Sequence, residues 1–394
     1  MKIAFSAQPA LGHLLPIIPL AVAARDAGHE VVVLAGSSLA GAVARTGLAH
    51  VVAGPADLHE AFERVPERAG LTGRRLAAVT WGQVFGGVIA PAMADALLDL
   101  ATDWRPDLIV HDDSEQGTWI AAERLGMPHV SLQATAWRGA GVRLSAEPLG
   151  RLRERLGLPP DPGLTRWHRH GYLTTRPPLL ANPDDPVPPT SIPLRPIALD
   201  GDDGPVPTWL ASREAHRPRV AVTLGTILPG RLSAMEAILD GLERLDVEVV
   251  ATVGPGLDPA SLGTRPDRVR VEAYVPMSLL LATADALVFH GGSGTMLAAL
   301  ANGVPLVVLP VAADQPENAD RCAAAGAAIA LDVANRAATD IAAATDAILT
   351  APRYGAAARR VRAQLEAMPV PADVLPRLER LAADGPDGSL AGDA

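Results

Sequence analysis

A strand, a glycine-rich turn and a helix follow one another without a break over residues 286–302, and this pattern constrains the fold more than any other. The apolar run 287–289 is typical of a buried strand. The Gly-Gly-Ser-Gly stretch at 291–294 forms a turn, and residues 296–302 are predicted to be a helix that ends at Gly303. Such a turn presents free backbone N–H groups and the positive end of a helix dipole, which suits a phosphate group.

Polar side chains surround this turn and continue after the next predicted strand, 306–310. His290 adds a donor that can carry charge, and the turn and helix add hydroxyl groups. Asp314 and Gln315 follow the next strand, just before Pro316 at a helix start. A carboxylate and an amide at that place can hydrogen-bond sugar hydroxyls. The two neighbouring turns together indicate a diphosphate site beside a sugar site, and therefore a nucleotide-sugar.

Composition excludes several other classes of protein. The chain has 394 residues, enough for two α/β domains, and its net charge of −10 argues against nucleic acid or an anionic membrane as the main partner. Lys2 is the only lysine, so no internal lysine can form a Schiff base, hold pyridoxal phosphate or build a P-loop. Cys322 is the only cysteine, which excludes an internal disulfide and a cysteine-based zinc cluster.

The beginning of the chain passes directly into a predicted strand and lacks the layout of a signal peptide. We found no uninterrupted apolar run that we judged long enough to span a bilayer. A cytoplasmic enzyme that acts on small molecules, with a homodimer as one arrangement open to it, is therefore expected.

Strand and helix patterns alternate in both halves of the chain. In the first half we predict strands at 2–7, 31–35, 108–111 and 129–133, with helices at 14–27 and 117–125. In the second half we predict strands at 219–224, 247–253 and 269–275 and a helix at 232–245. Repeated strand–helix–strand units indicate parallel sheets. We place the domains at 1–200 and 219–368, with a linker at 201–218, a terminal helix at 369–383 and a disordered tail at 384–394.

His13 and Asp112 are the candidate acid–base residues of the first half. His13 lies in the turn after the first strand, and a histidine has a pKa near operating pH, as a general base requires. Asp112 and Asp113 end the strand at 108–111, where a carboxylate can orient an imidazole and stabilise its charged form. The alternatives are a histidine that only caps or packs and carboxylates that only cap a helix.

Several further patterns carry less information. The D-x-D at 200–202 matches a divalent-metal pattern, but it lies in a Pro/Gly-rich stretch without a preceding strand, which favours a solvated acidic turn. Thr226 follows a strand and can donate to a phosphate. Tyr274 and Val275 end the strand predicted at 269–275, where the backbone can pair with a pyrimidine edge.

Tryptophans near the first-half sheet are candidates for an acceptor pocket. Trp81 and Trp137 stand in apolar stretches there, although packing in the core is the more common fate of such side chains.

Four segments, FHGGSGT, VAADQPEN, YVPMSLLL and QPALGHLLP, together resemble the GT-B nucleotide-sugar glycosyltransferases of family 1 type. The resemblance is closest to the actinobacterial enzymes that decorate macrolides, polyketides and other natural products. It implies two Rossmann-like domains that face each other across a cleft, with the helix at 369–383 returning to the N-terminal domain. It also implies inversion at the anomeric carbon without a metal or other cofactor, a dTDP- or UDP-sugar as donor, and a small-molecule acceptor.

The resemblance also implies a role for each candidate residue by position. His13 is the general base and Asp112 its orienting carboxylate, with Asp113 a weaker substitute. The donor residues are Thr226, His290, Gly292, Ser293, Gly294 and Thr295 for the diphosphate, Tyr274 and Val275 for the base, and Asp314 and Gln315 for the sugar. Tyr274 stands where the family often has Trp or Phe.

Two other functions fit parts of the same pattern. A nucleotide-sugar epimerase of the same fold needs no acceptor, and the His13–Asp112 pair argues against it. A non-catalytic nucleotide-sugar-binding helper needs no base, and the presence of a candidate for every catalytic role argues against it. A GT-B phosphorylase would need a pyridoxal lysine, which the chain lacks.

Overall fold

The computed structural model describes residues 1–136, 143–198, 206–212, 216–225, 231–254, 257–332 and 336–390. The chain forms two compact units. Unit 1 consists of Met1–Thr175, Pro183–Ile197 and Met368–Ala394, and unit 2 consists of Arg176–Asn182 and Ala198–Ala367. The chain therefore leaves unit 1 for a short stretch at 176–182, returns to it, and leaves it again near residue 198, which differs from the single boundary expected at 201–218.

The described residues of unit 1 contain a seven-stranded parallel sheet with the order β3-β2-β1-β4-β5-β6-β7. Its strands are β1 Lys2–Ser6, β2 Glu30–Ala35, β3 Ala49–Val52, β4 Leu108–Asp112, β5 His129–Leu132, β6 Tyr172–Thr174 and β7 Ser191–Pro193. Side chains alternate between the faces, so Ile3 and Phe5 pack into one apolar cluster and Ala4 into another. Both faces are covered, as a parallel sheet requires.

The helices of unit 1 cover these two faces. They are α1 Leu11–Leu14, α2 Ile18–Asp26, α3 Ala40–Ala44, α4 Leu58–Glu63, α5 Gly73–Val79, α6 Ala90–Asp103, α7 Thr118–Leu125 and α8 Ala146–Arg155, with a π-helix at Thr80–Ile89. The single helix expected at 14–27 is divided into α1 and α2. Pro16 and Pro19 explain the division, because proline has no N–H to donate and is tolerated only in the first turn of a helix.

The helical run Arg75–Asp103 is long and apolar enough to cross a bilayer by length and composition, contrary to our expectation from the sequence. In its most apolar stretch 44% of the residues are buried within the protein. Val84, Ile89 and Met93 are fully buried against the sheet. Buried core helices of soluble proteins pass the same test, so the run is weak evidence for a membrane.

The described residues of unit 2 contain a six-stranded parallel sheet with the order β10-β9-β8-β11-β12-β13. Its strands are β8 Arg219–Thr223, β9 Glu248–Thr252, β10 Val269–Glu272, β11 Ala286–Phe289, β12 Leu306–Val308 and β13 Ala328–Ala330. The helices are α9 Thr208–Ala211, α10 Arg231–Leu242, α11 Met277–Leu281, α12 Ser293–Ala301, α13 Gln315–Ala324, α14 Ala338–Thr350 and α15 Pro352–Glu366. Helices α10 and α14 pack together over one face of this sheet.

Part of the expected linker is folded. Helix α9 lies within it, and Leu210 of that helix is fully buried. The Leu210 carbonyl accepts a hydrogen bond from the buried guanidinium of Arg219, at 2.7 Å. Arg219 also forms a two-pronged ion pair with Glu248, at 3.0 Å for each bond. A buried arginine with these partners ties the described part of the linker to the start of β8.

The last described residues belong to unit 1. Helix α16, Pro371–Asp384, packs on α2 and contributes Leu375, Leu378 and Leu381 to the core. The expectation of a disordered tail at 384–394 is wrong for 384–390: a 3₁₀ turn follows α16, and Leu390 is 4% exposed. Its N–H donates to the His170 carbonyl at 2.7 Å. Residues 391–394 lie outside the described part of the chain.

Unit 1 also contains a histidine cluster, formed by His111, His129, His168 and His170. The Ser131 hydroxyl links His111 Nε2, at 3.2 Å, to His168 Nδ1, at 2.7 Å. Burial lowers the pKa of His111 to about 4, against the opposing effects of its hydrogen bond to the Asp112 carbonyl and of the Asp112 charge. Burial also holds the pKa values of His129 and His168 well below the ordinary value. The cluster is therefore neutral when folded.

This neutrality makes part of the stability depend on pH. Below pH 6.5 an unfolded histidine takes up a proton that folded His111 does not bind, so its contribution to the free energy of unfolding falls as pH falls from 6.5 towards 4. We expect wild type to lose about 2 kcal/mol more stability than His111→Asn between pH 7.5 and pH 5. Urea unfolding of both proteins at the two pH values measures this difference, and equal losses would contradict it.

Candidate functional site

The glycine turn of unit 2 joins β11 to α12. Gly291 has a φ of +97°, which favours glycine, and the Gly292 carbonyl accepts the hydrogen bond of the Met296 N–H at 3.0 Å. The first N–H groups of α12, starting at Ser293, have no carbonyl within the helix to bond. The structure thus forms the predicted order of strand, turn and helix, with donors suited to an anion, although α12 begins at Ser293, three residues before the predicted helix at 296–302.

The ring of His290 is held between two glycines. A Cβ at Gly225 would lie 2.7 Å from His290 Cε1, and a Cβ at Gly292 would lie 2.6 Å from His290 Nε2. Gly225 also has a φ of +67°. Burial lowers the pKa of His290, although the nearby Asp314 charge acts in the opposite direction. His290 is therefore a neutral, sterically fixed ring, and an anion bound beside it would favour its charged form.

The predicted sugar residues are hydrogen-bonded to the predicted diphosphate turn. Ser293 Oγ donates to Asp314 Oδ2 at 2.6 Å. The Gln315 Oε1 accepts from the N–H groups of Val311 and Ala312, at 2.8 and 3.1 Å, so this oxygen closes the turn. Ala313 has a φ of +57°, a strained conformation for alanine that such bonds help to hold. The Ser293 hydroxyl is committed within the protein, so this residue meets a ligand mainly through its backbone.

The predicted base-binding residues lie on a loop. Strand β10 ends at Glu272, so the strand expected at 269–275 is too long by three residues. The Tyr274 side chain is 62% exposed, whereas Val275 is buried just before α11. An exposed ring beside a buried anchor is compatible with stacking on a base, and the role stays a prediction. Thr226 lies outside the described residues.

Asn318 and Arg176 join this site although the sequence did not assign them to it. Asn318 Nδ2 donates to the Gly291 carbonyl at 2.7 Å and to Asp314 Oδ2 at 3.1 Å. Arg176 Nη2 donates to Ser293 Oγ at 2.8 Å and to Asn318 Oδ1 at 2.5 Å. Asn318 stands within the VAADQPEN segment, three residues after Gln315. No sequence signal pointed to Arg176.

In unit 1, β1 and β4 are neighbours, and this pairing brings His13 and Asp112 together. His13 lies on α1, and its Nδ1 is 3.3 Å from Asp112 Oδ1. Asp112 is fully buried and accepts hydrogen bonds from Gln8 N and Ser114 N, at 2.8 and 2.7 Å. The Asp112 carboxylate is thus fixed in one orientation against the imidazole.

Ser114 completes this arrangement and was missed from the sequence. Its hydroxyl donates to Asp112 Oδ1 at 2.7 Å and lies 2.9 Å from His13 Nδ1. Because the Ser114 proton is used on Asp112, its oxygen accepts from the Nδ1–H of His13. This tautomer makes Nε2 the basic nitrogen of the ring.

The pKa values of the two adjacent carboxylates are shifted in opposite directions. Burial raises the pKa of Asp112, but the contacts with His13, Gln8 N and Ser114 outweigh that effect and lower it. Burial and the Asp112 charge raise the pKa of Asp113 to about 7, although the Tyr172 hydroxyl donates to it at 2.8 Å. Asp113 also accepts from Ala134 N. Asp112 is therefore the carboxylate that faces His13, and Asp113 faces the next strands.

The remaining candidates from the sequence are the two tryptophans and the metal pattern at 200–202. Trp81 lies half-buried in the π-helix with its ring edge on Phe85, at a centroid distance of 5.6 Å, while Trp137 lies outside the described residues. Among the described residues, no three His, Cys, Asp or Glu side chains are grouped so as to hold a metal ion. The D-x-D at 200–202 is not among the described residues, so metal independence stays a prediction.

Comparison with known proteins gives matches over nearly the whole chain. The family described as erythromycin biosynthesis protein CIII-like matches with its N-terminal domain at residues 22–225 and its C-terminal domain at residues 236–381. The aclacinomycin-T 2-deoxy-L-fucose transferase of Streptomyces galilaeus is 32% identical, over 98% of this chain and 97% of that protein.

Solved structures give the same result for the fold. The glycosyltransferase SnogD from Streptomyces nogalater superposes with a TM-score of 0.81 at 32% identity, covering 97% of this chain and 99% of that one. The glycosyltransferase VinC, solved in complex with dTDP, gives a TM-score of 0.81 at 26% identity, covering 98% and 100%. The two parallel-sheet units are the two α/β domains of a GT-B fold, as the sequence predicted.

The packing of His290 against Gly225 gives a steric test of the site. We expect Gly225→Ala to displace the ring and raise the dissociation constant of dTDP about tenfold, because the new Cβ would overlap it. Gly263→Ala is a matched control: its φ is +72°, but no atom lies within 4 Å of the added Cβ. Calorimetric titration with dTDP measures both variants. Equal affinity in the two would show that the ring position does not matter.

Proposed function

The chain belongs to the erythromycin biosynthesis protein CIII-like family of actinobacterial natural-product glycosyltransferases, and from this membership we propose its reaction. We propose that it moves a deoxysugar from a dTDP- or UDP-sugar to a hydroxyl group of a polyketide, macrolide or aromatic aglycone. Transfer proceeds with inversion, without a metal, and with His13 as general base. The observation that carries the proposal is the buried Asp112 carboxylate that holds His13 in one tautomer.

The names of similar proteins support the substrate classes. The transferase of Streptomyces galilaeus is named for 2-deoxy-L-fucose, a deoxysugar, and for aclacinomycin-T. VinC was solved with dTDP. The elloramycin glycosyltransferase ElmGT of Streptomyces olivaceus and the 4'-demethylrebeccamycin synthase of Lentzea aerocolonigenes each match 96% of this chain. These names support a deoxysugar donor carried by dTDP and a natural-product acceptor.

Acceptor activation follows from the geometry of unit 1. The Nε2 of His13 removes the proton of the acceptor hydroxyl as the oxygen forms its bond to the anomeric carbon. The resulting imidazolium keeps its Nδ1–H on Ser114 and Asp112, and the negative charge of Asp112 stabilises it. Attack from the face opposite the leaving group inverts the anomeric carbon.

Departure of the nucleotide depends on unit 2. As the bond between the anomeric carbon and the diphosphate oxygen breaks, negative charge grows on the diphosphate. The N-terminal amides of α12 and the ring of His290 provide donors for that charge, as preorganised dipoles do in other sites. Asp314 and Gln315 then orient the sugar hydroxyls, and Tyr274 with Val275 receives the base.

The proposal predicts a specific loss in variants of the base. With a dTDP-deoxysugar and a polyketide aglycone that wild type glycosylates, we expect His13→Ala to lower kcat by two orders of magnitude or more and leave dTDP affinity unchanged. His59→Ala is the control, since that imidazole is 82% exposed on α4 of the same unit. Product formation by chromatography and the anomeric configuration by NMR are the measurements. Unchanged O-glycoside formation by His13→Ala, or retention at the anomeric carbon, would overturn the mechanism.

A further inference from the structure

The segment 176–182 is bonded into unit 2 at three places. The Leu179 N–H donates to Gln364 Oε1 on α15 at 2.9 Å, and Asn182 Nδ2 donates to Glu317 Oε1 on α13 at 3.1 Å. Leu180, in the 3₁₀ turn between them, is 1% exposed. The third attachment is Arg176 itself. Its guanidinium is therefore held in place by its own segment as well as by its direct contacts.

The guanidinium of Arg176 is hydrogen-bonded to side chains next to the glycine turn. It donates to Ser293, the first residue of α12, and to Asn318, whose amide donates in turn to the Gly291 carbonyl. The same Ser293 hydroxyl donates to Asp314. A positive charge, a hydroxyl, an amide and a carboxylate thus form one hydrogen-bonded network at the predicted diphosphate site.

Asp314 creates an electrostatic difficulty at this place. Its carboxylate is one hydrogen bond away from the first residue of α12, where the proposed function, on which this inference rests, places a diphosphate. Two like charges that close together disfavour each other, and partial burial reduces the screening by water. Added positive charge would therefore help a sugar-binding carboxylate and a diphosphate to share the site.

We propose that Arg176 is the positioning residue that balances Asp314. Its positive charge offsets the carboxylate through Ser293 and lets the turn accept a diphosphate, while its two hydrogen bonds fix the Ser293 and Asn318 side chains beneath the turn. The residue needs no contact with the substrate. The role explains why an arginine from a segment remote in sequence is bonded to the two turns that meet the donor.

The experiment compares ligands with and without a diphosphate. Inorganic pyrophosphate, dTDP and thymidine are titrated calorimetrically into wild type and Arg176→Gln, which keeps an amide donor but has no charge. We expect pyrophosphate and dTDP to bind about tenfold more weakly to the variant and the thymidine affinity to stay the same. Arg353→Gln is the charge control, because it removes the same positive charge from an exposed arginine of α15, whose guanidinium lies over the Tyr354 ring.

The double variant Arg176→Gln/Asp314→Asn separates charge balance from a structural role. Removing the carboxylate should restore dTDP and pyrophosphate binding to within about threefold of wild type, because the uncompensated charge is gone. Arg176→Lys should keep most of the affinity. Equal weakening for thymidine, or no recovery in the double variant, would overturn the charge-balancing role.

The outcome is separable from that of the proposed reaction. If glycosyl transfer is observed and Arg176→Gln leaves pyrophosphate and dTDP binding intact, the inference fails and the reaction stands. If pyrophosphate binding shows the expected pattern and no acceptor is glycosylated, the charge balance stands and the reaction fails. If wild type binds none of pyrophosphate, dTDP and UDP, both fail.

Discussion

Parallel pairing of strands is the constraint on which the rest of the structure depends. In a parallel sheet the carboxyl ends of neighbouring strands stop at the same edge. In unit 2, β11 lies between β8 and β12, so the turns at Gly225, His290 and Asp314 meet although they are far apart in sequence. In unit 1, the pairing of β1 with β4 does the same for His13 and Asp112. Neither group would form if one of these strands ran in the opposite direction.

Close contact between the His290 ring and two glycines is the second physical feature of the predicted donor site. The His290 ring fills the space that side chains at residues 225 and 292 would need, so contact requires both glycines, and at Gly225 the positive φ favours glycine as well. The Asp314 turn is held by Gln315 and linked to α12 through Ser293. The residues predicted to bind the diphosphate and those predicted to bind the sugar are therefore parts of one hydrogen-bonded network, so we expect a substitution in one group to alter the other.

Burial decides the chemistry of the acceptor side. Asp112 and Asp113 are neighbours in sequence and both buried, yet their pKa values move in opposite directions. The difference comes from the neighbours: Asp112 has the imidazole of His13 beside it, together with hydrogen bonds from Ser114 and Gln8 N, whereas Asp113 has the negative charge of Asp112 beside it. A carboxylate that stays charged beside a histidine is what a general-base mechanism needs.

The sequence predicted the features that depend on local pattern. Apolar runs followed by glycine turns located β8 and β11, and His290 directly follows β11 as expected, whereas Asp314 and Gln315 lie at the start of α13. Features that depend on distant contacts were missed. Ser114 contacts His13 only because the fold places α1 beside the end of β4. Arg176 contacts Ser293 only because the segment 176–182 packs in unit 2.

Two local predictions failed for the same kind of reason. The tail around Leu390 has a polar, glycine-rich sequence typical of disorder. Its one leucine is nevertheless buried, because the Leu390 side chain occupies the space that a side chain at Gly171 would need. The helix at Arg75–Asp103 has no single apolar run that stands out, and its length comes from α5, the π-helix and α6 joining end to end. Tertiary packing determines both the order of the tail and the length of the helical run, and a local sequence pattern carries no information about such packing.

Unit 2 is proposed to bind a nucleoside diphosphate through the glycine turn and His290 without a metal. Calorimetric titration of EDTA-treated protein with dTDP and with UDP, in wild type and in His290→Ala, is the measurement that checks this binding. We expect wild type to bind at least one of the nucleotides without added metal, and His290→Ala to bind it clearly more weakly. Absence of binding to both nucleotides, or equal affinity in the two proteins, would contradict it.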